Sequence, residues 1–189
     1  MDTTLIVPGL HGSSPEHWQS WFERQIDNCV RVVQSDWSTP NLTQWLGKLR
    51  RELNRVPGRV WIVAHSFGCL AAVQIAADYS ERISGLMLVA PADPARFGLQ
   101  DVIAQNRLEV PSIIVASTND RWMSFECAAA WADVWGSELL NLGAAGHVNV
   151  EAGYGAWPRG LEIYRSLRSD ASPTFASHRS NEVFELGEF

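Results

Sequence analysis

The chain has 189 residues and a formal net charge of −6, from 15 lysines and arginines against 21 aspartates and glutamates. That length suits one domain with a single sizeable core, and an acidic balance without any run of basic residues argues against a nucleic-acid partner. With 46% apolar and 19% charged residues the composition is that of an ordinary globular chain, so general disorder is not expected. Met1-Asp2-Thr3-Thr4 leads straight into an apolar run with no basic n-region and no cleavage site, and the run is too short to span a membrane. A cytoplasmic protein with no membrane partner is therefore expected.

The first β-branched run is Thr4-Leu-Ile-Val7. Behind it, Ser14-Pro15 reads as an N-cap followed by proline at the first helical position. Val30-Arg-Val-Val33 forms the second run, and Asn41 with Gln44 resembles a capping box for the helix that follows. Val60-Trp-Ile-Val63, Leu86-Met-Leu-Val89 and Ser112-Ile-Ile-Val115 are apolar at successive positions, as in strands covered on both faces. Ser124 is placed to cap a helix carrying Trp131 and Trp135, and a weaker strand covers Glu138-Leu-Leu-Asn-Leu142. A last helix starts near Pro158 with Leu161, Tyr164 and Leu167 on one face.

Stretches of helical length separate these runs. The alternation predicts an α/β fold: a mostly parallel sheet of about six strands with helices on both faces. Any site then belongs at the carboxyl ends of the strands. The pattern stops after Arg168, so residues 1–168 are expected to form one domain. Residues 169–189, rich in serine and charge, read as a flexible tail, with docking of Phe184 and Leu186 on the body or on a neighbouring chain as the other reading. Cys29, Cys69 and Cys127 are odd in number and form no C-x-x-C pair, which points to reduced, partly buried thiols.

The strongest chemical signal is Val60-Trp-Ile-Val-Ala64-His65-Ser66-Phe67-Gly68-Cys69-Leu70. It reads as buried strand, sharp turn and Ala-rich helix, which is the nucleophile elbow G-x-S-x-G with Ala64 at the first glycine. A turn that lifts a serine hydroxyl above the sheet edge needs small flanking residues, and Gly68 lets the helix approach the strand. The bare pattern is weak; between the third strand and the next helix it is specific. The alternative is an ordinary N-cap serine.

A serine hydroxyl needs a base that is itself oriented by an acid. In elbow-bearing hydrolases the chain order is Ser, acid, His. Only His147 and His178 follow Ser66; His178 lies in the tail, while His147 sits in the glycine-rich loop after the last strand. Asp120 follows the penultimate strand and is favoured as the acid by chain order and loop position, with Asp93, one strand earlier, as its rival. Neighbouring Asn119 is uncharged and cannot take that role. The amide of Phe67 at the helix N-terminus and that of Leu10 in the loop after the first strand are the expected oxyanion donors, with His11 the less favoured choice.

His65 should point opposite to Ser66 and pack beneath the turn. Cys69 reads as a buried small side chain. His11 and His17 lack partners at metal-ligand spacing, so no metal site is expected, and no cofactor either. Nine tryptophans are many for this length, and most should be core; Trp37 and Trp122, with His11, are candidates to line an acyl pocket.

With these positions assigned, the chain resembles the YdeN-type family of small serine hydrolases, to which the retinoblastoma-binding serine hydrolase is related. The resemblance is carried by Val7-Pro8-Gly9, Glu16-His17-Trp18, Asp36-Trp37 with Trp45, Ala64 through Leu70, Val89-Ala-Pro91, Ala116-Ser117 through Asp120, and Gly146-His147-Val-Asn149 followed by Gly153-Tyr-Gly155-Ala-Trp157-Pro158. It runs in order over roughly residues 4–168 and leaves out the tail. It implies a compact α/β-hydrolase fold without a large lid and a triad of Ser66, Asp120 and His147, which sharpens the choice of Asp120 over Asp93. The retinoblastoma-binding property is not implied, since no short motif here explains it.

The expected function is hydrolysis of a small carboxylic ester, thioester or amide through an acyl-enzyme on Ser66. Acyl transfer to an acceptor other than water would use the same site. A catalytically weak protein-interaction module on the same fold is the alternative from another class.

Overall fold

The computed structural model describes residues 2–170. Six strands, β1 (Thr3–Val7), β2 (Cys29–Arg31), β3 (Val60–His65), β4 (Ile83–Val89), β5 (Ser112–Ala116) and β6 (Glu138–Asn141), pair in parallel throughout in the order β2-β1-β3-β4-β5-β6. Five α-helices accompany them: α1 (Trp18–Gln25), α2 (Leu42–Arg55), α3 (Phe67–Asp78), α4 (Phe125–Trp135) and α5 (Pro158–Asp170).

Alternate residues of each central strand enter different cores. Leu5, Val7, Ile62, Ala64, Leu86, Leu88 and Ile114 meet Trp45 and Leu49 of α2, Leu70 of α3 and Trp135 of α4. Ile6, Val63, Met87, Val89 and Val115 face the other way, onto Trp18 and Phe22 of α1 and Leu161 and Tyr164 of α5. Burial on both faces explains why β3 is buried at all six positions and reads as an unbroken apolar run.

Local signals also hold. Asn41 Oδ1 accepts the Gln44 N–H (3.1 Å) at the start of α2, and Ser124 Oγ accepts that of Cys127 (3.1 Å) at the start of α4.

Three expectations are corrected. Helix α1 is not capped by Ser14. The His17 N–H closes a turn onto the Ser14 carbonyl (3.0 Å), and His17 Nδ1 accepts the Gln19 N–H (3.2 Å), so His17 is the cap and Pro15 lies before the helix. The turn is held in place by Ser20 Oγ, which also donates to the Ser14 carbonyl (2.6 Å).

The connection between β4 and β5 holds a short 3-10 turn, Pro94–Phe97, where a stretch of helical length was expected. Asp93 caps that turn, Pro94 opens it, and Gly98 at φ 66° ends it. Residues 90–111 are nevertheless packed down, with Ile103, Leu108 and Val110 buried in the core beside α3 and α4. This connection, the one between described strands that holds no α-helix, is therefore a strap over the body, and among the described residues no large lid is inserted.

Third, α5 runs to Asp170, two residues past the expected end of the pattern at Arg168. The tail readings for residues 171–189, including Phe184 and Leu186, lie outside the described residues. No helix among the described residues is long and apolar enough to cross a membrane.

The chain leaves β1 for β2 on one side and β3 for β4 on the other. The carboxyl ends of β1 and β3 therefore flank the point where the winding direction changes, the position at which open α/β sheets form a crevice.

Candidate active site

Ser66 stands at that crevice, between β3 and α3, with φ 54° and ψ −125°. This backbone conformation costs a non-glycine residue about 1–3 kcal/mol and persists only where surrounding contacts impose it. Here they do. The Ser66 N–H donates to the Val89 carbonyl (3.1 Å), and the Ser66 carbonyl accepts from Cys69 (3.0 Å) and Ala92 (3.2 Å).

The turn also requires small neighbours. A Cβ on Gly68 would overlap the carbonyl oxygens of Val7 and Pro8, and one on Gly9 would sit 2.7 Å from the Ser66 Cβ. Ala64, at the first position of the motif, is fully buried. Ser66 occupies the N-cap position of α3, but its side chain makes no capping bond, so the hydroxyl is not spent on the helix.

The Ser66 hydroxyl lies 2.9 Å from Nε2 of His147, and Nδ1 of that ring lies 2.8 Å from Oδ2 of Asp120. The imidazole side chain is 12% exposed and the carboxylate 3%. A carboxylate can only accept, so Nδ1 carries the proton and Nε2 is free to accept from the serine hydroxyl. The second carboxylate oxygen accepts the Trp122 N–H (2.8 Å), which fixes the orientation of the group. Asp93, the rival acid, instead accepts the Ala95 N–H (2.9 Å).

Behind His147 lies a row of buried rings. His65 packs against the rings of His17 and Trp18, and its Nε2 donates to the His147 carbonyl (2.9 Å). The ring centroids of His65 and His147 are 4.9 Å apart, and those of His17 and His65 5.0 Å. Burial, with Arg31 and His147 nearby, lowers His17 to about 4. Burial again, with His147 and His17 adjacent, holds His65 well below the ordinary histidine range. Both rings are therefore neutral near pH 7. Cys69 is buried as expected, its thiol facing the Val89 carbonyl at 3.6 Å.

In the loop after β1, the His11 N–H is committed to the Trp37 carbonyl (2.8 Å) and that of Gly12 to the Gly9 carbonyl (3.1 Å). Trp122 is 40% exposed, with its ring centroid 6.0 Å from that of His147. Trp37 is half-buried; it packs on Gly12 and sits edge-on to Trp45, which in turn meets Phe67 (4.9 Å between centroids). His11 is exposed, with φ 67°. Among the described residues no group of three or more His, Cys, Asp or Glu is arranged to hold a metal ion. A groove of about 480 Å³ beside Asp2, Asp27, Leu161, Tyr164, Arg165 and Arg168 lies at the amino end of β1, away from this chemistry.

The sequence gives Trp18, Ser117 and Asn119 no role at the site, yet all three bond to the loop bearing His147. Trp18 stands in the Glu16-His17-Trp18 motif, but its partner Val148 lies far along the chain, so no local pattern marks the contact. Asn119, uncharged and so no acid, instead accepts the Gly146 N–H.

The model of the serine hydrolase family matches residues 4–166. The YdeN protein of Bacillus subtilis (strain 168) is 25% identical over 182 residues, covering 87% of this chain and 95% of that one. Its crystal structure superposes with a TM-score of 0.75. A YdeN-like protein of Pectobacterium atrosepticum is 43% identical, covers 90% of this chain and 92% of its own, and superposes with a TM-score of 0.87. Est1E of Butyrivibrio proteoclasticus, at 15% identity and a TM-score of 0.69 over 89% of this chain and 88% of its own, shares the fold. The elbow, the parallel sheet and these matches lead to one assignment: the chain belongs to the serine hydrolase family, within its YdeN-type group.

Proposed function

We propose that the protein hydrolyses a small carboxylic ester, or a thioester or amide, through an acyl-enzyme on Ser66. The observation that carries this reading is the unbroken chain Ser66 Oγ, His147, Asp120, at 2.9 and 2.8 Å. Ser66 Oγ attacks the acyl carbon as its proton passes to His147 Nε2, and Asp120 holds the resulting imidazolium in place. The developing oxyanion is held by the amides of Phe67, at the amino end of α3, and Leu10. Leu10 is favoured over His11 because the His11 amide is already bonded to Trp37.

Collapse of the tetrahedral intermediate expels the alcohol, thiol or amine, which takes the proton back from His147. Water then attacks the acyl-enzyme with His147 again as base, which releases the acid and regenerates Ser66.

With no large lid, the site is open and suits short acyl groups of a soluble cytoplasmic substrate, with His11, Trp37 and Trp122 lining the approach. The exposed Trp122 ring beside His147 supports that placement.

A fluorophosphonate probe should label wild type at Ser66 and leave Ser66→Ala unlabelled. An ester panel of increasing acyl length should be turned over fastest at the short end. Wild type that takes no label, while folded, would overturn the hydrolase reading in favour of an interaction module. A preference for long acyl chains would overturn the open-site reading.

A further inference from the structure

The loop that carries His147 is held by four side chains from distant parts of the fold. The Ala145 N–H donates to Ser117 Oγ (3.0 Å) and the Gly146 N–H to Asn119 Oδ1 (2.7 Å). The next two peptides are held by their carbonyls. The His147 carbonyl accepts from Nε2 of His65 (2.9 Å), and the Val148 carbonyl accepts from Nε1 of Trp18 (2.8 Å).

Ser117 and Asn119, bonded to each other at 2.8 Å, belong to the segment that supplies Asp120. His65 directly precedes Ser66, and Trp18 opens α1. The acid, the nucleophile and the base loop are thus tied to one another independently of the triad bonds.

The loop does not rest in a relaxed conformation. Val148 is at φ 47°, which a β-branched residue adopts at a cost of about 1–3 kcal/mol and only when its surroundings impose it. The two ring donors act directly on this strained stretch. Trp18 is fully buried and His65 is 5% exposed, and their rings pack edge-to-face at 6.0 Å. Neither can leave its partner for solvent. A carbonyl oxygen can only accept, so His65 must carry its proton on Nε2.

We propose that His65 and Trp18 are positioning residues for His147: their ring N–H groups clamp the successive carbonyls of residues 147 and 148. The clamp sets the backbone from which the imidazole reaches Ser66 and Asp120 together. This rests on the triad reading above and extends it to residues that touch no reacting atom. Loss of either donor lets the strained peptides relax and swings the ring off line, which slows the chemical step without altering how substrate is held.

The test measures kcat and KM for a short-acyl p-nitrophenyl ester with wild type, His65→Leu, His65→Gln and Trp18→Phe. Thermal unfolding and fluorophosphonate labelling are followed on the same samples. Glutamine presents an amide N–H at the reach of the histidine Nε2, and phenylalanine keeps an aromatic ring while losing the donor. His65→Leu and Trp18→Phe should lower kcat about 10- to 100-fold with KM within about twofold of wild type, and His65→Gln should recover most of the loss.

Wild-type kcat in a folded His65→Leu, or His65→Gln as slow as His65→Leu, would overturn the proposal. If His65→Leu does not fold, Trp18→Phe decides, and wild-type kcat there is equally fatal. Wild type that takes no label removes the triad reading beneath the proposal. Labelled wild type with an unimpaired His65→Leu removes the positioning role alone.

Discussion

At Ser66 the chemistry and the backbone impose opposite demands. A hydroxyl raised above the sheet edge needs a tight turn, and that turn places a side-chain-bearing residue at φ 54°. The conformation is held by three backbone hydrogen bonds to Ser66 and by glycines whose missing Cβ atoms leave room for Val7, Pro8 and Ser66 itself. Gly68→Ala should therefore destabilise the fold by about 1–3 kcal/mol or more, because the overlap is with carbonyl oxygens and not with a side chain that can rotate away. Chemical denaturation measures this, and an unchanged midpoint would show that the approach of α3 to β1 is less tight than described.

Asp120, the proposed acid, makes a second residue-scale case. Asp120→Asn leaves the shape of the site intact, but its amide can present N–H to His147 and favour the wrong tautomer. We expect kcat to fall by about 10³- to 10⁴-fold, on the scale seen when such an acid is neutralised in other triad enzymes. Asp93→Asn, which alters only the cap of the Pro94–Phe97 turn, should keep near-normal kcat; the reverse ranking would reassign the acid.

Elements deliver these residues because of where strands end. β3 supplies Ser66, the segment after β5 supplies Asp120, and that after β6 supplies His147. These three strands lie on the same side of β1 in the sheet, and their carboxyl ends point the same way because all pairings are parallel. The starts of α2 and α4 are local matters: Ser124→Ala should cost α4 about 1 kcal/mol with turnover retained, since a single capping bond is lost. The strap 90–111 is different. It has no α-helix, yet Ile103 is 1% exposed within the main core. Ile103→Ala should thus cost about 2–5 kcal/mol, as in a regular element. A loss below about 0.5 kcal/mol, the scale of surface substitutions, would mean that the strap is peripheral.

At the scale of the whole molecule, the row of rings behind His147 ties stability to pH. Burial, first of all, lowers His17 from 6.5 to about 4, and His65 is lowered for the same reason. As pH falls through 6.5 the unfolded chain takes up a proton at position 17 that the folded chain refuses until about 4. This contribution to stability is whole above 6.5 and is lost progressively towards 4. Urea midpoints should decline across that window, and His17→Gln should flatten part of the decline. Identical slopes in the two proteins would show that His17 is not held neutral by the fold.

The sequence by itself determined the α/β class, the strand order in the chain, and the caps at Asn41 and Ser124, because hydrophobic period and capping bonds act within a few residues. It also singled out Ser66, whose elbow is a local demand for small neighbours, and, through chain order, Asp120 and His147 as its candidate partners. Tertiary structure decided what rests on distance through space. His17, and not Ser14, caps α1 because its N–H closes a turn onto Ser14 and its Nδ1 takes the Gln19 amide. The strap packs without a helix because the core, not local propensity, holds it. Asp120, and not Asp93, meets the imidazole, and Trp18 reaches Val148 from far along the chain. No pattern of neighbouring residues encodes such pairs, since they form only once parallel strands bring distant segments to one edge.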